Sequence, residues 1–377
     1  MNILRILYIA TISDTINSFL IPHIKLLVEQ GNEVGVAFNP IQEINPELIQ
    51  LGCTIYHVHF QRDPLKKENL AAYKKIKQIV LEDKYELIHV HTPVASFLTR
   101  LACRNMPEVK ILYTAHGFHF FKGASKMSWI LYLPFEKMAA KWTDGLITMN
   151  NEDYILAKKL KLRKSNAIYK VHGVGINLNY FVPQTLEEKS KLRKEYHYNL
   201  NDFIIIYVGE LSDRKHQSLL IEAVSILRKK IPNIKLLLVG DGVLKNNYKT
   251  MVNNLNLDEN VEILGYREDV SNLMIISDLA VSTSRREGLP VNVMEAMATG
   301  LPLIVTNCRG NRDLIKNGVN GIVIKNDEVK ECADAIEKLY TSKELRSEYG
   351  EKNKILIQAY SIENVIGEMR EIYSYYK

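Results

Sequence analysis

Two glutamates, Glu287 and Glu295, stand eight residues apart in S-R-R-E-G-L-P-V-N-V-M-E-A-M-A-T-G-L-P, residues 284–302. Pro290 suits the first position of a helix, where its missing N–H would have no intrahelical partner. Gly300 suits the position just past the end, and Pro302 reinforces the stop. The spacing predicts a short helix over 291–299 that follows a strand over 279–282. Glu287 then lies in the loop before the helix and Glu295 one turn inside it. The free N–H groups and positive dipole end of such a helix form an anion site suited to a diphosphate. Phosphate would repel the two carboxylates. As acceptor-only groups they suit hydroxyls instead. The residues together point to a sugar nucleotide, with its phosphates on the helix N-terminus and one glutamate toward each sugar.

His116, in T-A-H-G, follows a strand expected over 110–114, so it belongs at a strand's carboxyl end. Gly117 beside it would let backbone come close to a ligand. His89 and His91 flank Val90 and share one face by strand alternation. No carboxylate or cysteine completes a metal ligand set with them. His89 is therefore expected to be structural, and His91 to line the ligand cleft. The four cysteines are widely spaced with no C-x-x-C pair, which fits reduced thiols in a cytosolic protein. There is no G-x-G-x-x-G and no G-x-x-x-x-G-K, which argues against a dehydrogenase and a P-loop ATPase. No D-x-D pair signals a metal-held diphosphate.

The elements that must position these groups alternate. Strands are expected over 4–10, 33–38, 54–58, 87–90, 110–114 and 145–149, and helices over 17–30, 66–81 and 94–104. A second series has strands over 203–208, 235–239, 261–264, 279–282 and 303–306, and a helix over 217–230. Such alternation predicts α/β architecture, with two Rossmann-like, doubly wound parallel sheets facing each other across a cleft. Ligands in such sheets sit beyond the carboxyl ends of the strands. The expected domains are 1–178 and 179–360, with a hinge in K-V-H-G-V-G-I-N, residues 170–177. A closing helix over about 361–377 is expected to pack back on the first domain.

The N-terminus reads as a first buried strand rather than a signal peptide. No run of about 18 apolar residues signals a membrane span. Residues 1–178 hold 22 Lys and Arg against 15 Asp and Glu, whereas the remainder holds 27 against 28. Nucleic acid, an anionic membrane surface or a phosphorylated substrate would each fit that basic half, as would a solvated surface. Residues 118–142 add seven aromatics interleaved with four lysines. That composition suits a membrane–water interface or single-stranded nucleic acid, and buried aromatics would also explain part of it.

The stretch E-G-L-P-V-N-V-M-E-A-M-A-T-G-L-P resembles the E-x7-E signature of family 4 glycosyltransferases, retaining enzymes with the GT-B fold. H-T-P-V-A-S-F-L-T-R-L-A, Y-T-A-H-G-F-H-F-F-K-G-A, L-I-T-M-N-N-E-D-Y, V-H-G-V-G-I-N and T-N-C-R-G-N-R-D-L-I resemble its capsule and exopolysaccharide branch. That branch builds repeat units on a polyprenyl-diphosphate lipid. The resemblance places Glu287 near the transferred sugar's hydroxyls and Glu295 on the nucleotide ribose. It places Lys215 on the diphosphate and His116 near the transferred sugar. Val291 and Asn292 fall where the family holds phosphate on peptide groups, and Gly288 and Leu289 before them are expected to bind the nucleotide sugar. Tyr266 and Arg267 follow the strand over 261–264 and are candidates for the base.

There are departures from the family pattern. Glu210 stands where the family has a phosphate-gripping arginine, and Arg214 is the nearby substitute. Leu289-Pro290 replaces Phe-Gly, which removes one backbone donor. The first loop, 11–18, lacks the usual paired glycines.

The resemblance implies transfer of a hexosyl or N-acetylhexosaminyl group from a UDP-sugar to a lipid-linked saccharide. No cofactor, no metal and no nucleic-acid partner are expected. His91, Phe118, Lys122, Lys126 and Trp129 are the expected acceptor and membrane residues. The location expected is cytoplasmic, on the inner face of the cell membrane. A UDP-sugar epimerase of similar fold and a non-catalytic saccharide or nucleic-acid binding module are the alternatives.

Overall fold

A computed structural model describes residues 3–163 and 167–377. The chain divides into two compact units, one of residues 1–175 with 362–377, the other of residues 176–361.

The first unit is built on seven strands: β1 (Arg5–Ile12), β2 (Glu33–Asn39), β3 (Thr54–His57), β4 (Leu87–His91), β5 (Lys110–Ala115), β6 (Gly145–Thr148) and β7 (Ile168–Lys170). They lie in the order β3-β2-β1-β4-β5-β6-β7. Every pairing is parallel. Parallel strands are covered on both faces, so the central ones read as unbroken apolar runs. R-I-L-Y-I-A-T-I of β1 is such a run, buried from its second residue on. Helices α1 (Ile21–Glu29), α2 (Glu68–Glu82), α3 (Pro93–Ala102) and α4 (Lys126–Ala140) belong to this unit. So does the C-terminal helix Ile362–Ser374, which is tied to the sheet by Tyr373. The Tyr373 hydroxyl lies 2.6 Å from His89 Nδ1.

The segment after β1 departs from expectation. It is not a loop over 11–18. The chain enters a helical turn at Ser13–Thr15, widens over Ile16–Leu20 and only then becomes α1. Pro22 has no N–H with which to close a regular bond back to residue 18, and the wide turn lies just before it.

The second unit has six strands: β8 (Phe203–Val208), β9 (Ile234–Val239), β10 (Val261–Gly265), β11 (Leu279–Ser282), β12 (Leu303–Thr306) and β13 (Ile322–Ile324). Their order is β10-β9-β8-β11-β12-β13, again all parallel. Strand alternation splits β8 between two cores. Phe203, Ile205 and Tyr207 join Leu220 and Val224 of α5 (Gln217–Leu227) on one face. Ile204 and Ile206 join Val293, Met294 and Met297 of α6 (Val291–Ala298) on the other.

Strand order reverses between β1 and β4 in the first unit and between β8 and β11 in the second. Such a switch point leaves a crevice, because consecutive connections depart to opposite faces. In the second unit the loops that leave β8 and β11 therefore stand side by side. They carry Lys215 and Glu287.

Candidate active site

The loop after β8 brings Arg214 and Lys215 to the loop after β11. Lys215 Nζ is 2.7 Å from Glu287 Oε1, and Arg214 Nη1 is 3.2 Å from Glu287 Oε2. Lys215 and Glu287 are both buried. Burial pushes the Glu287 carboxyl up, but the charges of Lys215 and Arg214 outweigh it and hold the pKa below the ordinary glutamate value. Arg214 also reaches Glu210, 3.6 Å away. The residue that stands in place of the family arginine thus holds Arg214 from one side while Glu287 holds it from the other.

The backbone at Lys215 is fixed from beneath. The buried Tyr207 hydroxyl donates to the Lys215 carbonyl at 2.7 Å. Thr283 Oγ1 donates to the His216 carbonyl at 2.7 Å. His216 itself sits at φ 53°. That left-handed conformation is uncommon outside glycine, and histidine is one of the types enriched there. The loop carrying Glu287 is fixed in a similar way. Arg309 Nε donates to the Glu287 carbonyl at 2.8 Å. Gly310 lies so close that an added Cβ would overlap the Gly288 carbonyl and the Pro290 ring. Tyr207, Thr283, Arg309 and Gly310 were not singled out from the sequence. Only T-N-C-R-G-N-R-D-L-I pointed near the last two, as a resemblance without a role.

Pro290 is the cap residue of α6, extended at φ −77° and ψ 117°, rather than its first helical residue. Gly300 lies past the helix end at φ 77°. No side chain caps the N-terminus of α6. The Val291, Asn292 and Val293 N–H groups are therefore the open end of the helix. Asn292 Nδ2 donates to the Val208 carbonyl at 2.8 Å, which ties that open end to β8. Gly288 and Leu289 are partly buried in the same loop. Glu295, one turn in, has no ion-pair partner among the described residues. Burial pushes its pKa up to about 7, against a smaller downward pull from Lys215. A carboxyl of that kind ionises readily once hydroxyl donors arrive.

Tyr266 projects into solvent, 77% exposed. Arg267 is held by Asp269 at 2.7 Å and 2.5 Å. Neither touches the Glu287 cluster. A cavity of about 430 Å³ in this unit lies beside Thr299 and Gly300, at the opposite end of α6 from Glu287.

In the first unit, β4 and β5 bring three histidines together. His91 Nδ1 lies 3.0 Å from His116 Nε2. Burial holds His91 well below the ordinary histidine range and brings His116 down to about 4. Both rings are therefore neutral near pH 7. Among the described residues, His91 Nε2 is buried with no partner. An unpaired acceptor costs less there than an unpaired donor, which assigns the proton of His91 to Nδ1. His91 then donates to His116, and His116 keeps its own N–H at Nδ1. His91 was expected to line the cleft. It is instead 2% exposed, stacked on Tyr8 and placed behind His116. Its neighbour His89 is bonded to Thr114 Oγ1 at 2.7 Å and to Tyr373, a structural role.

Besides His91, two more residues expected at a membrane or acceptor surface are placed elsewhere. Phe118 is buried and stacks on Phe120 with ring centroids 4.8 Å apart. Trp129 turns inward, its Nε1 donating to the Phe121 carbonyl at 3.2 Å. A large ring gains most by burial, and each finds core aromatics within reach. Lys122 and Lys126 are exposed. Among the described residues, no group of three or more His, Cys, Asp or Glu is arranged to hold a metal. Among them also, no helix is long and apolar enough to cross a membrane.

Residues 188–355 match the family described as glycosyl transferases group 1, and residues 5–151 match glycosyl transferase 4-like. The putative glycosyltransferase EpsD of Bacillus subtilis is 37% identical over 99% of this chain and 97% of its own length. The Escherichia coli UDP-Gal:alpha-D-GlcNAc-diphosphoundecaprenol alpha-1,3-galactosyltransferase is 29% identical over 81% of this chain and 79% of its own. Among solved structures, Anabaena HepE in complex with UDP-glucose superposes with TM-score 0.80 at 19% identity, covering 99% of this chain and 100% of that one. The fold is thus that of GT-B proteins, and the chain belongs to the family 4 glycosyltransferases.

Proposed function

We propose that this glycosyltransferase moves a hexosyl or N-acetylhexosaminyl group, with retention, from a UDP-sugar to a saccharide on a polyprenyl-diphosphate lipid. The product would enter a bacterial exopolysaccharide or capsule. The observation that carries the reading is the Glu287 carboxylate held between Lys215 and Arg214 at the switch point of the second sheet. A catalyst of this reaction needs fixed positive charge where the diphosphate leaves and a carboxylate for sugar hydroxyls. Both are present together with an uncapped helix N-terminus. The relatives suggest the donor and acceptor classes. One relative uses UDP-Gal and a diphosphoundecaprenol acceptor, and one GT-B neighbour binds UDP-glucose.

The chemistry follows from the residues. Lys215, Arg214 and the open N–H groups of α6 stabilise charge as it grows on the departing UDP. Glu295 ionises and accepts from the ribose hydroxyls. Glu287 turns from its cations toward the hydroxyls of the transferred sugar. His116 offers its Nδ1–H to a sugar oxygen, held in place by His91. The acceptor hydroxyl attacks the anomeric carbon from the face that UDP leaves and gives its proton to a diphosphate oxygen. No step calls on a metal or other cofactor. The protein contributes orientation and electrostatic stabilisation. The lipid acceptor places the reaction at the cytoplasmic membrane surface, with the protein peripherally bound.

The test is UDP release from a panel of UDP- and GDP-sugars, with and without a membrane extract, by wild type and Glu287→Ala. Release from one UDP-sugar, stimulated by the extract and lost in the variant, is the expected result. Silence with every donor and extract, in folded protein, would overturn it.

A further inference from the structure

Helix α4 is apolar on two sides. Its inner side packs Trp129, Tyr132, Leu133, Ala139 and Ala140 toward the core of the first unit. Its outer side presents Met127, Ile130, Leu131, Phe135 and Met138 to solvent, each between 39% and 69% exposed. Positions 127, 130, 131, 135 and 138 recur at the three- and four-residue spacing that puts side chains on one helical face. A helix that is apolar all round is ordinarily covered all round. Water here wets five large side chains in a row, and contiguous apolar patches of this kind mark interaction sites.

Charge identifies the partner. Lys122, Lys126, Lys137 and Lys141 are all exposed along and beside this face. The one acid of residues 121–142 is Glu136. It is turned inward, 2.6 Å from the buried Arg100. No carboxylate on the helix offsets the lysines. An apolar stripe flanked by lysines, with Glu152 against the Lys122 backbone as the accessible acid beside it, matches an anionic bilayer, where methylenes and rings enter the acyl boundary and ammonium groups meet headgroup phosphates. A protein partner of equal fit would have to be acidic and apolar at once.

We infer that the outer face of α4 is the membrane-docking surface of this protein, lying in the plane of an anionic leaflet. The inference deepens the lipid-acceptor reading above and gives it a place on the chain. Met127, Ile130, Leu131, Phe135 and Met138 enter the interface, and the four lysines set its preference for anionic lipid. Trp129 and Phe118 have no part in it.

The experiment is flotation with vesicles of phosphatidylcholine alone and of phosphatidylcholine mixed with phosphatidylglycerol. Wild type is compared with Met127→Glu/Ile130→Glu. Both side chains are about two-thirds exposed, so the fold is not at risk, and circular dichroism checks it. Wild type is expected to float with the anionic vesicles, less so as salt rises. The double variant should bind at least about tenfold more weakly, since two inserted apolar side chains are replaced by carboxylates. Transfer to a water-soluble short-chain acceptor should be unchanged in the variant, while transfer to a vesicle-embedded acceptor falls. Loss of flotation in the variant with no transfer by either protein would sink the transferase proposal and uphold the surface. Equal flotation of the two proteins would overturn the inference. So would a wild-type dimer in sedimentation that the variant splits, with no vesicle binding by either.

Discussion

Lys215 Nζ and Glu287 Oε1 stand 2.7 Å apart, both buried, on loops that follow the two neighbouring central strands β8 and β11. In the empty protein each charge is the other's counter-ion. A diphosphate must therefore compete with the Glu287 carboxylate for Lys215. Glu287→Ala should raise UDP affinity about threefold to tenfold, because the competitor is gone. The same substitution should lower transfer by about 10²- to 10³-fold, because the sugar's partner is gone with it. Lys215→Ala should weaken UDP and also lower stability by about 1–2 kcal/mol, since it leaves the buried Glu287 carboxylate with the part-exposed Arg214 as its remaining cation. The double alanine variant should recover most of that stability. Calorimetric titration with UDP and urea unfolding read the two effects. Loss of UDP affinity in Glu287→Ala would mean that this carboxylate holds the nucleotide and not the sugar.

Arg214 is shared between Glu287 at 3.2 Å and Glu210 at 3.6 Å. Glu210 is largely exposed, so its pull is weak and screened by salt. Arg214→Ala should weaken UDP by about tenfold, the usual size of one charge-assisted contact to phosphate. Glu210→Ala should strengthen UDP about twofold, and that gain should vanish in high salt. If Arg214→Ala binds UDP as wild type does, this side chain does not replace the missing family arginine.

Glu295 supplies a pH dependence with a definite sign. Its folded pKa of about 7 lies above the ordinary glutamate value. The folded protein therefore holds this proton more tightly than the unfolded chain. Stability from this group is present below the unfolded pKa and is lost as pH rises toward and through about 7. Glu295→Gln should be more stable than wild type at pH 8 by on the order of 2 kcal/mol, with the difference shrinking toward pH 5. Ribose hydroxyls favour the ionised form, so UDP should bind wild type more tightly as pH rises from 6 to 8. Glu295→Gln should bind weakly with a flat profile. A wild-type profile as flat as the variant's would remove Glu295 from the ribose.

Much of the fold was legible because the central strands are uninterrupted apolar runs. F-I-I-I-Y-V, L-A-V-S and L-I-V-T occupy the expected residues of β8, β11 and β12 without a shift. The edge strands β7 and β13 were not foreseen. Each has only three residues, too few to stand out as a run, and of the six only Ile324 is fully buried. Glu287 and Lys215 were legible as residue types in a motif. Their pairing across 72 positions was not, because it depends on strand order. The same holds for His91 and His116, which meet because His91 pairs in register with Thr114. In residues 118–142 aromatic composition does not say which rings face outward, and Phe118 and Trp129 turn inward. The spacing of Met127, Ile130, Leu131, Phe135 and Met138 is the signal for an exposed apolar face, since helical spacing decides which side of a helix a residue occupies.

Gly310 tests how closely the Glu287 loop must be held. Its Cα faces the Gly288 carbonyl and the Pro290 ring, and both lie where a Cβ would go. A carbonyl in a short loop cannot rotate away as a flexible side chain would. Gly310→Ala should therefore shift the segment from Glu287 to Pro290 while Arg309 Nε still holds the Glu287 carbonyl at one end. Displacements of this scale at a reacting centre cost about 10²-fold in rate. The expected outcome is a kcat lower by about that factor with a smaller loss of UDP affinity, since the α6 N–H groups follow the shifted segment while Lys215 and Arg214 come from the other loop. Gly367→Ala is the control. Nothing lies within 4 Å of its added Cβ, and it sits in the helix Ile362–Ser374, where alanine is favoured. That variant should keep full activity and gain up to about 1 kcal/mol of stability. If Gly310→Ala matched it in kcat, the loop would be free to adjust and its close packing would carry no catalytic weight.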